Sequence, residues 1–251
     1  MKTKFVVGNW KMNLLPNEVN QFLVSLSKQN WDTNKAKAWI APQSLYLAQG
    51  LKTSDSLNLP VTWGAQNSCH KPWGAYTGEL SPEALKSIGA QFTIIGHSER
   101  RQYFDETNEL LSLKLEAASM AKLTGIFCVG ETLQQRQEGR TLQVIENQLL
   151  QGLKRVMPNH WPLVMIAYEP VWAIGTGLTA GPDQVSEVHA HIFSILQKLT
   201  KQDVPILYGG SVNTKNFLTL LNIPHVDGGL VGGASLQAGS YHELLAAASQ
   251  T

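Results

Sequence analysis

The sequence contains little cysteine, little charge and no long apolar run. Its two cysteines, Cys69 and Cys128, form neither a CxxC pair nor a metal-ligand spacing. Isolated cysteines of this kind predict free thiols in a reducing compartment. No apolar stretch approaches the length that spans a membrane, and the run after Met1–Lys4 is too short for the core of a secretion signal. We therefore expect a cytoplasmic protein with no membrane partner.

Charge of either sign is also scarce. The net charge is +1 and there is no block of like charges, which argues against nucleic acid as a partner. Hydrophobic residues make up 43% of the chain against 16% charged residues, enough to build one sizeable core. Because no linker or low-complexity segment interrupts the chain, residues 1–251 are expected to form a single domain.

Short apolar runs recur along the chain, each followed by glycine or a polar turn. They lack the period-two alternation of a half-exposed sheet, which is typical of parallel strands buried on both faces. Eight such runs are predicted strands: Phe5-Val6-Val7, Ala38-Trp39-Ile40-Ala41, Val61-Thr62-Trp63, Phe92-Thr93-Ile94-Ile95, Ile126-Phe127-Cys128-Val129, Leu163 to Ala167, Pro205-Ile206-Leu207-Tyr208 and Leu230-Val231.

Between these runs the apolar spacing changes to that of a helix. Apolar residues then fall at intervals of three and four, so each set forms one stripe. The sets are Val19, Phe22, Leu23 and Leu26; Leu142, Ile145, Leu149 and Val156; and Val185, Val188, Ile192, Ile195 and Leu199. Ser81-Pro82-Glu83 and Gly181-Pro182-Asp183 predict two helix starts, with proline at the first helical position.

Eight strand–helix units in about 250 residues predict a (β/α)8 barrel. A doubly wound open sheet is the alternative, because it has the same local pattern. Two features favour the barrel. The first strand is followed by Gly8-Asn9-Trp10-Lys11 and not by a glycine fingerprint, and polar residues follow many different strands.

The carboxyl ends of barrel strands meet on one face, so their polar residues should converge. Taken singly, each has an ordinary structural explanation: a solvated Lys11, a His97 bonded to backbone, a solvated Glu169. Together they supply a cation, a hydrogen-bond donor and a general base suited to removing a proton next to a carbonyl. The glycine pairs after strands seven and eight predict a phosphate site made of backbone N–H groups. The loop after Glu169, with Gly175 and Gly177, predicts a lid.

These residues lie in motifs that resemble the triosephosphate isomerase family along essentially the whole chain. The motifs are Gly8-Asn9-Trp10-Lys11-Met12-Asn13, Ile95-Gly96-His97-Ser98-Glu99-Arg100-Arg101, Cys128-Val129-Gly130-Glu131, Tyr168 to Gly177, Tyr208-Gly209-Gly210-Ser211-Val212 and Leu230-Val231-Gly232-Gly233-Ala234-Ser235-Leu236. The resemblance implies a homodimeric isomerase that interconverts dihydroxyacetone phosphate and D-glyceraldehyde 3-phosphate without cofactor or metal.

Residue roles follow from the same resemblance. Glu169 would be the base, His97 the electrophile and Lys11 the group that holds the anionic substrate. The family keeps this histidine uncharged at a helix N-terminus. Further contacts to the substrate would come from Asn9, Gly175, Ser211, Gly232 and Gly233.

The long segment from Gln66 to Glu79 corresponds to a loop that, in the family, inserts into the partner subunit. Thr77 would then lie near the partner's active site, with Trp73 and Tyr76 as interface anchors. One departure concerns the lid, where Leu178 stands at a hinge position that often carries lysine in the family. Two other functions stay open: an aldolase, which would need an activated lysine inside the barrel, and a phosphosugar-binding barrel without catalysis.

Overall fold

The computed structural model describes residues 2–174 and 179–251. Its strands are β1 (Lys4–Asn9), β2 (Ala36–Ala41), β3 (Val61–Ala65), β4 (Phe92–Ile95), β5 (Thr124–Val129), β6 (Val164–Tyr168), β7 (Ile206–Tyr208) and β8 (Gly228–Val231). They pair in parallel in sequence order, and β8 closes onto β1 with Val7 opposite Leu230. The prediction of a (β/α)8 barrel is confirmed, and the open-sheet alternative is wrong.

Helices cover the outside of the barrel. In the described part of the chain they are α1 (Pro16–Leu26), α2 (Leu47–Ser56), α3 (Pro82–Ser87), α4 (Ser98–Tyr103), α5 (Asn108–Met120), α6 (Leu133–Gln137), α7 (Thr141–Gly152), α8 (Pro182–Leu199), α9 (Phe217–Leu221) and α10 (Ala238–Ala248). Short 3-10 turns lie at Ser44–Tyr46, Pro158–Leu163, Val171–Ala173 and Gly233–Ser235.

Strand residues alternate between two apolar layers, because successive side chains point to opposite faces. In β5, Ile126 and Cys128 join the cluster inside the barrel, whereas Phe127 and Val129 join the cluster under the helices. Both layers exclude water, which explains why the strands read as continuous apolar runs.

The helix starts follow the predicted local chemistry. Ser81 caps α3 by accepting a hydrogen bond from Ala84 N at 3.1 Å. At the start of α8, the side chain of Gln184 accepts a hydrogen bond from Gly181 N at 2.9 Å. The predicted stripe of α1 is buried at all four positions.

Four predictions are wrong in detail at the ends of elements. Leu163 ends a 3-10 turn and Pro205 lies before β7, so β6 and β7 each begin one residue later than their apolar runs. Val156 lies beyond the end of α7, and Leu199, the last residue of α8, is 39% exposed. Each error falls at the end of an element, where apolar spacing alone does not show which residues the tertiary contacts cover.

Candidate active site

Glu169 directly follows β6, and contacts from neighbouring strands fix both its backbone and its carboxylate. Its backbone N–H donates to Val129 O at 2.8 Å, next to the end of β5. Its side chain is buried, and Oε2 accepts a hydrogen bond from Ser98 N at 2.9 Å. Oε1 lies 3.1 Å from His97 Nε2, and no described group makes a well-aligned hydrogen bond to it. One carboxylate oxygen is therefore anchored, and the other is buried without such a bond.

His97 follows β4 and forms the N-cap of α4. Its Nδ1 accepts a hydrogen bond from Glu99 N at 3.2 Å. An amide can donate only to a nitrogen that carries no proton, so this bond requires the tautomer with the ring proton on Nε2, the nitrogen near Glu169. The carboxylate of Glu99 also lies near Nδ1, with Oε2 at 3.5 Å.

Lys11 follows β1 in a left-handed backbone conformation with φ of 51°. Its N–H donates to Asn9 Oδ1 at 3.1 Å, and its carbonyl accepts from Gln66 Nε2 at 2.7 Å. These two bonds hold a conformation that is unfavourable for a residue with a Cβ. The Lys11 ammonium lies 2.5 Å from Glu99 Oε1, so this cation is already paired with a carboxylate.

The loops after β7 and β8 border a cavity of about 260 Å³. Its lining combines predicted site residues from opposite sides of the barrel, namely Asn9, Lys11, His97, Ser211, Gly232 and Gly233. Gly232 and Gly233 begin a 3-10 turn, and the first N–H groups of such a turn have no acceptor within it. Space around Gly233 is open, with no heavy atom within 4 Å of a Cβ built there. This geometry suits a small anion.

Ser211 connects the β7 loop with the segment after Glu169, since its hydroxyl donates to Ala173 O at 2.6 Å. Gly175, the remaining predicted phosphate ligand, and Leu178, the departure from the family pattern, lie outside the described residues.

Two glycines come close to Glu169 and leave no space for a side chain. A Cβ on Gly130 would lie 1.8 Å from Glu169 O. A Cβ on Gly209 would lie 2.8 Å from Glu169 Cγ. The catalytic candidate is therefore packed between glycines that follow β5 and β7.

Glu131 is a buried carboxylate beside the start of the predicted lid. It accepts hydrogen bonds from Trp172 Nε1 at 2.9 Å and from Tyr168 OH at 3.2 Å, and Arg136 Nη1 lies at 3.2 Å. Burial, and secondly the charge of Glu131, raise the pKa of the Tyr168 hydroxyl well above its usual range. This cluster ties the segment after Glu169 to the end of β5.

Sequence reasoning gave no individual role in the reaction to Ser98, Glu99, Gly130 or Glu131, and it assigned Gly209 only to the phosphate site. All five stand in the family motifs, so a signal was present. The sequence does not indicate which of these residues contact each other. Ser98 contacts Glu169, and Lys11 contacts Glu99, only in the closed barrel.

Residues 2–174 and 179–251 contain no group of three or more His, Cys, Asp and Glu side chains placed to hold a metal ion. None of the helices within these residues is long and apolar enough to cross a bilayer.

Comparison with known proteins places the chain in a family. A sequence model of the family "Triosephosphate isomerase" matches residues 4–248. The triosephosphate isomerase of Flavobacterium psychrophilum is 42% identical over 245 residues, covering 96% of this chain and 97% of its own. Those of Chloroherpeton thalassium and Nitrosococcus oceani are each 43% identical over 253 residues, covering 99% of this chain and 100% of their own. The chain belongs to the triosephosphate isomerase family.

Proposed function

We propose that this chain interconverts dihydroxyacetone phosphate and D-glyceraldehyde 3-phosphate by proton transfer through an enediolate. The observation that carries the proposal is the buried Glu169 carboxylate with its Oε1 3.1 Å from Nε2 of His97, because His97 lines the small cavity bordered by the glycine loops. A base and a neutral donor side by side are what proton transfer between adjacent carbons requires.

In the forward direction Glu169 removes a proton from the carbon next to the carbonyl of the substrate. His97 donates its Nε2 proton in a hydrogen bond to the oxygen that gains negative charge, which lowers the energy of the enediolate. A proton also passes from the hydroxyl oxygen on the first carbon to the former carbonyl oxygen, with His97 Nε2 placed to relay it. The protonated Glu169 then returns a proton to the neighbouring carbon, and the carboxylate is restored. The cycle has no net gain or loss of atoms or electrons, so it consumes no redox cofactor. In this proposal His97 and Lys11 supply the charge stabilisation that a metal ion could otherwise provide.

Lys11 and the glycine loops hold the substrate during these steps. The ammonium of Lys11 borders the same cavity as Gly232 and Gly233, so it lies within the field of an anion bound there. Asn9 and Ser211 line the cavity as well, and Gly175 completes the phosphate site in this proposal. A cavity of about 260 Å³ suits a triose phosphate better than a larger sugar phosphate.

The two alternative functions fit the site less well. An aldolase needs an activated lysine inside the barrel. Among the described residues, Lys114 is the buried lysine, but it lies outside the barrel on α5 and pairs with Glu106 at 2.6 Å. A binding protein without catalysis would have no need of the buried Glu169 beside His97.

The 66–79 loop is proposed to form a homodimer. Its tip exposes Trp73 (71% exposed) and Thr77, and a groove of about 780 Å³ runs from this loop past Lys11 and His97. Met12 is 87% exposed and Leu45 81% exposed, and both border the same groove. Apolar residues exposed around one groove support an interface, with the partner's Thr77 placed next to Lys11 and His97.

We also propose that residues 1–251 act as one catalytic domain, because all eight strands close a single barrel. The buried free thiols of Cys69 and Cys128 support a cytoplasmic location.

A coupled assay of triose phosphate interconversion tests the function. The purified chain should convert dihydroxyacetone phosphate rapidly with no added metal or nucleotide in the isomerase step, and a chelator should leave the rate unchanged. A folded protein that binds a phosphate analogue but shows no turnover would overturn the proposal in favour of a binding role.

A further inference from the structure

Arg101 lies one turn after His97 on α4, and its side chain folds back towards the ends of two strands. Its Nε donates to Gly96 O at 3.0 Å, at the end of β4. Its Nη2 donates to Cys128 O at 2.9 Å, in β5. The third nitrogen, Nη1, donates to Asn108 Oδ1 at 2.7 Å, at the start of α5. One guanidinium thus joins β4, β5 and α5.

The two strand carbonyls are close in the chain to the reacting groups. Gly96 O belongs to the peptide that contains the nitrogen of His97. Gly96 has φ of 74°, and a Cβ there would lie 2.7 Å from Leu111 Cδ1, so the backbone takes a left-handed turn in a tightly filled place. On the other strand, Cys128 is followed by Val129, whose carbonyl accepts the hydrogen bond from Glu169 N at 2.8 Å. Arg101 therefore contacts the backbone beside both residues.

We propose that Arg101 is a positioning residue that fixes the distance between His97 and Glu169 by bridging the ends of β4 and β5. This inference rests on the proposed isomerase function. Arg101 itself does not line the cavity of about 260 Å³, so it acts on the reaction through the two side chains that it holds in place.

The charge of Arg101 adds to its hydrogen bonds. Burial lowers the pKa of Arg101 from its usual range, while the negative charges of Glu169 and Glu106 oppose that shift. A guanidinium stays protonated even so. It is a fixed cation behind the site, and its bonds to carbonyl oxygens are charge-assisted and therefore stronger than those of a neutral donor.

The position of Arg101 predicts which kinetic constant it controls. The predicted phosphate ligands that line the cavity, Ser211, Gly232 and Gly233, follow β7 and β8, whereas Arg101 holds the ends of β4 and β5 and reaches the cavity only through His97. Loss of Arg101 should therefore leave substrate binding nearly intact and slow the proton transfer, since that step depends on sub-ångström placement of base and donor.

The first experiment compares Arg101→Met with Tyr241→Phe. Tyr241 is a matched control, because its buried hydroxyl also contacts two strand carbonyls, Val6 O at 2.9 Å and Trp39 O at 3.0 Å, away from the site. Arg101→Met should lower kcat roughly 10- to 100-fold with KM little changed, whereas Tyr241→Phe should lower thermal stability and leave kcat as in the wild type. If Arg101→Met is folded and has wild-type kcat, the inference is wrong.

The second experiment is chemical rescue of Arg101→Ala. A cavity of about 560 Å³ borders Arg101 and also Glu106, whose Oε2 has no hydrogen-bond partner in the described residues. A small cation can enter there. Millimolar guanidinium chloride should restore kcat several-fold, while urea, which has the same shape without the charge, should restore it much less. Equal rescue by both would overturn the role of the charge, and rescue by neither would overturn the positioning role.

Two further arms keep the result decisive. If both truncated variants fail to fold, Arg101→Lys replaces them, since it keeps the cation but cannot reach both carbonyls; full wild-type kcat in that variant would contradict the inference.

The wild-type chain separates this inference from the proposed function. An inactive wild type refutes the isomerase function, whereas an active wild type with an equally active Arg101→Met refutes only the role of Arg101.

Discussion

At the scale of single residues, the site depends on two nitrogen donors that meet Glu169 from the segment after β4. The backbone N–H of Ser98 holds Oε2, and His97 Nε2 lies close to Oε1. Because Nδ1 of His97 accepts a hydrogen bond from Glu99 N, the helix start that follows His97 favours the tautomer with its proton on Nε2. A protonated imidazole at this position would lose that bond.

Substituting Glu169→Gln should lower kcat by roughly 100- to 10,000-fold, because an amide keeps the shape of the side chain but cannot take up the proton. KM should change little, since Glu169 is not proposed to bind the phosphate. Steady-state kinetics of the purified variant give both constants. The buried Glu106→Gln is not a suitable control because it is ion-paired; the exposed Glu243→Gln on α10 should have wild-type constants. Normal turnover in Glu169→Gln would show that another group is the base.

Position in the barrel made the residues of the reaction predictable, but not their contacts. Glu169, His97 and Lys11 each stand at the carboxyl end of a predicted strand, so the sequence indicates that they meet. The pairing of Lys11 with Glu99 was not predictable, because nothing in the local sequence distinguishes Glu99 from a solvated carboxylate. Such contacts are properties of the closed barrel.

At the scale of elements, the joint between β5 and β6 is the tightest part of the site. The side chain of Gln148, on α7, makes two hydrogen bonds to the backbone of Gly130. It accepts from Gly130 N at 2.8 Å and donates to Gly130 O at 2.9 Å. On the other side, a Cβ on Gly130 would lie 1.8 Å from Glu169 O. The two loops can approach this closely only with glycine.

Gly130→Ala should therefore force the loops after β5 and β6 apart. We expect a loss of about 1–3 kcal/mol of stability, as for other overpacked sites, together with a lower kcat because Glu169 is displaced. Gly239→Ala on α10 is the matched control, since a Cβ there meets nothing within 4 Å, and it should be neutral or slightly stabilising. Thermal unfolding and kinetics of both variants check this, and an unchanged Gly130→Ala would refute the close approach.

His189 on α8 gives an element-scale prediction for pH. It is fully buried; its Nδ1 contacts His225 O at 2.9 Å and its ring lies against Tyr168 and Tyr208. Burial lowers its pKa from 6.5 to about 4, whereas the unfolded chain takes up a proton near 6.5. Stability should thus fall as pH drops from 6.5 towards 4, by as much as about 3 kcal/mol from this group.

Urea unfolding at a series of pH values measures that contribution. His189→Gln should have a smaller loss of stability between pH 6.5 and 4 than the wild type, even if it starts less stable. Gln202→Ala, which changes an exposed side chain that carries no titratable group, should keep the wild-type slope. The same slope in His189→Gln and the wild type would contradict the assignment.

The order and type of the elements were predictable because strands of a buried parallel sheet and amphipathic helices have different apolar periods. All eight strands and the stripes of α1 and α8 follow from that difference. The ends were less predictable: Leu163 is apolar enough for a strand, yet Pro158–Leu163 forms a 3-10 turn. Pro158 and Pro162 have no N–H to donate to a neighbouring strand, and this effect outweighs the apolar pattern of the segment.

At the scale of the whole molecule, the site faces the groove that is proposed to receive a second copy of the chain. The groove reaches from Gln43 and Leu45 to Phe104 and is open beside Lys11. In the proposed dimer the tip of the partner's 66–79 loop fills this groove. A charge added at that tip should therefore affect both assembly and activity.

Thr77→Arg should convert the proposed dimer to a monomer and reduce activity, because a charged side chain would have to be buried next to Lys11 of the partner subunit. Met120→Arg is the control; it also adds a charge at an exposed apolar position (57% exposed), but at the end of α5. Sedimentation equilibrium and the isomerase assay test both variants. A monomeric wild type, or a dimeric Thr77→Arg, would refute this interface.

The most direct test of the central claim is to let the enzyme convert dihydroxyacetone phosphate in D2O and examine the product by NMR. If Glu169 carries the proton, some of it exchanges with solvent, and deuterium should appear on the carbon next to the aldehyde. Product that carries only the original hydrogen at that carbon would indicate a direct hydride shift and would contradict the enediolate account.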